Sequence, residues 1–125
     1  MNYMFLIYGE PAKLAITEPA AIAAAIAAHG AIMDETTALG KLKGCSPLEP
    51  TSTALTVRND RGTVTAVDGP FAETREVLAG YYVLDCADLE EAKGRAARIS
   101  AAGCGTTVEI RAQRTVPART VQQHA

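Results

Sequence analysis

The sequence predicts an α+β domain, with an antiparallel sheet carrying two helices on one face. Apolar, strand-like runs recur along its 125 residues, and two long helical stretches separate them. The resulting order reads β-α-β-β-β-α-β with one added strand. That order is the pattern of a ferredoxin-like sheet.

The first run, Tyr3 to Tyr8, is apolar on both alternating faces, as expected of a strand buried on two sides. Gly9-Glu10-Pro11 ends it. Thr17 or Glu18 before Pro19 marks a helix start, because proline suits the first helical turn. The alanine-rich run beyond has high helix propensity and places Ile22, Ile26, His29 and Met33 on one face, directed inward. Gly30 is a candidate break, and Gly40 a stop. Gly44-Cys45-Ser46-Pro47-Leu48-Glu49-Pro50 reads as loop.

Thr53 to Arg58 and Thr63 to Val67 read as strands, and Asn59-Asp60-Arg61-Gly62 carries the chemistry of a hairpin turn between them. A short helical turn is expected over Ala72 to Glu76. Gly80 to Asp85 is another apolar strand. Asp88 with Glu91 forms a capping-box start for a helix running to about Ile99. Thr106 to Arg111 alternates as a last strand. The expected organisation is one domain over residues 1–112 and a polar tail over 113–125, disordered or laid on a partner.

Composition narrows the function classes. A formal net charge of −2 gives no basic footprint for nucleic acid. No apolar run approaches the roughly 20 residues a membrane span needs, and the start lacks the pattern of a signal peptide. The three cysteines, Cys45, Cys86 and Cys104, are odd in number and widely spaced, so they read as reduced thiols of a cytoplasmic protein. Neither a metal site nor a cofactor is expected. There are two histidines without paired Cys/His spacing, and there is no Gly-rich dinucleotide or phosphate loop. A strand as apolar as Tyr3 to Tyr8 needs cover on both faces, and pairing two sheets as a homodimer supplies it.

Several motifs occur in one order along the chain: Tyr3-Met4-Phe5-Leu6-Ile7-Tyr8-Gly9, Ala28-His29-Gly30-Ala31-Ile32-Met33, Pro50-Thr51-Ser52-Thr53-Ala54, Asp68-Gly69-Pro70-Phe71-Ala72-Glu73-Thr74, Leu78-Ala79-Gly80-Tyr81-Tyr82 and Thr107-Val108-Glu109-Ile110-Arg111. Together they resemble the YCII-related superfamily, in the branch with the Asp-Gly-Pro-Phe motif. The resemblance implies a dimeric α+β barrel and a His–Asp pair in a cleft. It covers most of the chain. Two departures are the alanine-rich first helix and Gly103-Cys104-Gly105, where relatives tend to carry a larger residue.

His29 is the candidate proton-handling group, since an imidazole titrates near neutrality and its helical face points inward. Asp68, in the turn after a strand, is the candidate carboxylate that orients it. Its competing role is turn structure, because Asp-Gly is turn chemistry. Phe71 is a candidate core or pocket-wall aromatic, and Tyr82 a candidate hydroxyl in the cleft. Arg58 and Arg75 are either solvated or anion-binding.

Two functions fit. One is a small cofactor-free enzyme of lyase, isomerase or dehalogenase type, moving a proton on a small anionic organic molecule. The other is a non-catalytic module that binds a ligand or protein, tied through the resemblance to sigma-factor-type regulation.

Overall fold

A computed structural model describes residues 1–15, 18–103 and 106–116. β1 (Asn2–Gly9) and β5 (Val77–Asp85) form the antiparallel centre of a four-stranded sheet, flanked by β2 (Leu42–Pro47) and β6 (Thr107–Ala112) in the order β2-β5-β1-β6. α2 (Pro19–Ala38) and α3 (Leu89–Ala102) pack together, and α1 (Pro11–Leu14) is one short turn. Among the described residues, β3 (Leu55–Asp60) and β4 (Thr63–Asp68) pair only with each other, as a separate hairpin. The fold is therefore α+β with a ferredoxin-like antiparallel sheet, as the sequence predicts.

The alternation of β1 separates its two faces. Phe5 and Ile7 point to the helices and are buried, whereas Met4, Leu6 and Tyr8 are only half-buried on the opposite face. Across the ladder, Phe5 meets Tyr82 and Ile110, so one apolar layer runs through three strands. Ile32 of α2 and Ala92, Ala96 and Ile99 of α3 close over it. Each large side chain removed from water this way contributes about 1.5–3 kcal/mol before entropy is charged against it.

Local sequence accounts for the helix ends. Asp88 caps α3 by accepting the Glu91 N–H at 2.8 Å, and the Glu91 carboxylate accepts from Ala87 N–H at 2.8 Å. That reciprocity is the predicted capping box, displaced by one residue on its return bond. Pro19 starts α2, although Glu18 provides no side-chain cap. Thr17, the other expected cap, lies outside the described residues. Gly40 ends α2 with φ +70°, and Lys41 N–H reaches Thr36 O at 2.8 Å, a Schellman arrangement. α2 runs unbroken through Gly30.

Other expectations are corrected. Leu42–Pro47 is an edge strand, not loop, and pairs with β5. Ala72 to Glu76 contains no helical turn. The buried row of α2 is Ile32 and Thr36, with Ala28 packed beside it; Ile22 and Ile26 are 39% and 68% exposed. Of the expected stripe, Ile26, His29 and Met33 border a pocket, and Met33 also packs against the core. Among the described residues, no helix is long and apolar enough to cross a membrane.

Candidate functional site

The pocket opens where the sheet loosens at one end. A bulge breaks the β1–β5 register between Ile7 and Tyr8, leaving Ala79 as an extra residue whose carbonyl accepts from Leu48 N–H at 2.8 Å. Gly80 follows. A Cβ there would stand 2.9 Å from Ser46 O, so glycine lets β2 approach β5 at the pocket edge. On the other side α1 returns over β1, and Leu14 packs so tightly on Gly9 that a Cβ would lie 2.7 Å from its side chain. Between these edges and α2 lies a cavity of about 370 Å³.

His29 of α2 and Tyr82 of β5 both line this cavity and are hydrogen-bonded to each other, Nδ1 to phenol oxygen, at 2.8 Å. Their rings are 20° from parallel, with centroids 5.9 Å apart. Tyr82 lies opposite Cys45 of β2, and Cys45 Sγ contacts Met33 Sδ at 3.5 Å. Met33 stands one turn beyond His29, so the imidazole, thioether, thiol and phenol occupy one wall.

Burial lowers the His29 pKa below 6.5. Burial, with a smaller contribution from Cys45, pushes the Tyr82 phenol up to about 12. Both groups are therefore neutral at pH 7. Either the phenol donates to Nδ1 and the proton sits on Nε2, or Nδ1–H donates to the phenol oxygen and Nε2 keeps its lone pair. In the second arrangement the imidazole is a competent base. Hydrocarbon from Ile7, Leu14, Ile26 and Met33 makes up much of the remaining wall, and Lys13 stands at the rim. Its ammonium already pairs with Glu10 at 3.4 Å, and Glu10 also accepts from Arg75 Nε at 2.6 Å.

The candidate residues divide into two groups. His29 and Tyr82 meet. Asp68 does not join them within one chain: it is exposed at the end of β4, opposite Leu55, and does not line the pocket. The physical reason is topological. β3 and β4 are not members of the main sheet, so the turn beyond them is not carried to α2. Phe71, expected in a core or pocket wall, is 78% exposed, and its carbonyl accepts from Arg58 Nη2 at 3.4 Å. Arg75, weighed as an anion binder, pairs with Glu10.

Sequence reading missed Cys45, Lys13 and Leu14 as pocket residues. Cys45 was hidden by the loop assignment of β2. Lys13 and Leu14 belong to a helix too short to show a period. Among the described residues no cluster of His, Cys, Asp or Glu could hold a metal ion. Cys104 and His124 lie outside the described residues.

The fold and the pocket define a ferredoxin-like α+β protein with a small-molecule-sized cavity between sheet and helices. A family model described as "YCII-related domain" matches residues 1–114, and the chain belongs to that family. It is also similar to an uncharacterized protein of Rhizobium meliloti (strain 1021), at 45% identity over 73 residues. The match covers 58% of this chain and 59% of that relative, so the chain spans under two thirds of the relative's length.

Proposed function

We propose that the protein is a small cofactor-independent enzyme that moves a proton on an organic molecule held in the pocket. The supporting observation is the His29–Tyr82 hydrogen bond on the wall of a cavity of about 370 Å³. With Nδ1–H donated to Tyr82, the remaining ring nitrogen takes a proton from a carbon beside a carbonyl. Such a step suits isomerase, lyase or elimination chemistry and is commonly worth about 10²- to 10⁴-fold. Tyr82 orients the imidazole ring, the part the sequence assigned to Asp68.

The test uses an enolisable ketone, 2-tetralone, in D₂O, with NMR following exchange of its α-protons. The parent protein accelerates exchange above buffer and His29→Ala does not. Equal rates for the two proteins would remove the catalytic reading. Binding without exchange would leave a binding module.

The reading includes a second copy. Met4, Leu6, Tyr81 and Val83 lie on the sheet face opposite the helices, half-buried within one chain, and a partner sheet is the cover it calls for. Light scattering at micromolar concentration should give twice the chain mass of 13.1 kDa; a stable monomer would count against this.

A further inference from the structure

We infer that the pocket selects a neutral, largely apolar molecule with one hydroxyl or carbonyl head, and discriminates against carboxylates. This rests on the reading of the pocket as a small-molecule site, and it replaces the anionic ligand expected from sequence. Three observations carry it.

The first is the hydrogen-bonding capacity of the polar wall. His29 and Tyr82 spend one donor and one acceptor on each other. In either tautomeric arrangement they then offer a ligand one N–H or O–H donor and one acceptor lone pair. A hydroxyl uses both; an enolisable carbonyl uses the donor. Since burial keeps the imidazole neutral, the wall has no positive charge to set against an anion.

The second is the state of the rim. Lys13, the pocket-lining cation among the described residues, is already engaged by Glu10, and Glu10 also holds Arg75. An entering carboxylate shares Lys13 with Glu10, and the lysine side chain is 58% exposed, so water screens its attraction. Burying it unpaired against the hydrocarbon would carry a large desolvation cost.

The third is the character of the remaining wall. Met33 Sδ and Cys45 Sγ, 3.5 Å apart, present polarisable sulfur next to the polar head group site. Sulfur of this kind packs favourably against an aromatic or unsaturated ring edge. The volume, about 370 Å³, is at the small end of ligand pockets.

A matched pair of probes tests this in the full chain: 2-naphthol, neutral at pH 7, and 2-naphthoate, with calorimetry or NMR titration reading affinity. Naphthol should bind at least about tenfold more tightly than naphthoate. Tyr82→Phe should weaken naphthol about fivefold, while leaving naphthoate unchanged. Glu10→Gln, which removes the competing carboxylate, should raise naphthoate affinity; circular dichroism checks that this variant is folded. Equal or tighter naphthoate binding to the parent, or no binding of either probe, would overturn the inference. Naphthol preference without ketone exchange would remove only the catalytic reading. Ketone exchange with naphthoate preference would remove only the ligand class.

Discussion

His29 and Tyr82, fifty-three positions apart in the chain, share a hydrogen bond of 2.8 Å across the gap between α2 and β5. It joins two neutral groups, since burial disfavours both the imidazolium and the phenolate. It also ties the long helix to the sheet at the pocket wall.

Tyr82→Phe removes the bond while keeping the ring. The expected loss of stability is about 0.5–1.5 kcal/mol, because the histidine nitrogen can turn to water in the pocket. Urea denaturation measures it. The same variant should shift the ring-nitrogen NMR signals of His29, because Nδ1 loses its phenol partner.

Stability should rise with pH through the range in which His29 titrates. Its folded pKa lies below 6.5, so on acidification the unfolded chain takes up this proton first. No stabilisation is involved above 6.5, where both states are neutral; a penalty grows below it. Melting temperature measured between about pH 5 and 7 should fall toward acid in the parent and less steeply in His29→Gln. Parallel slopes would show that other groups dominate.

Gly80→Ala places a methyl group 2.9 Å from the Ser46 carbonyl oxygen, a backbone atom with little room to yield. The edge strand must shift, at an expected cost of about 1–3 kcal/mol. Because β2 carries Cys45 and Pro47 into the pocket wall, naphthol affinity should drop in parallel with the midpoint of unfolding.

Glu35 of α2 is held by Arg95 and Arg98 of α3, which keeps its carboxyl below the ordinary carboxylate range. Glu35→Ala should lower the melting temperature slightly. The difference from the parent should shrink as salt is added, since these groups are solvent-screened. A salt-independent loss would point to packing instead.

Much of the architecture was legible because local and global signals agree. β1, β5 and β6 alternate or run apolar, and the Asp88–Glu91 box fixes the start of α3. β2 was not legible. Gly44, Ser46 and Pro47 carry turn chemistry, yet at a sheet edge a proline is tolerated because one side of the strand has no ladder to complete. The face of α2 was misread for a related reason. Alanine on every side leaves the period weak, and the helix buries Thr36, whose hydroxyl is satisfied by Ile32 O at 2.7 Å. In the site, His29 and Tyr82 were each readable as candidates, but their meeting is a tertiary fact. Asp68 and Phe71 carried a motif, not a position: the separate hairpin leaves them facing outward.

That hairpin turns through Arg61 and Gly62, both with positive φ, in a two-residue reversal. Since its ladder is closed upon itself, lengthening or relabelling the tip leaves the register of the four main strands untouched. The loop is thus a natural handle for a fluorophore or epitope, attached where it disturbs neither cavity nor sheet.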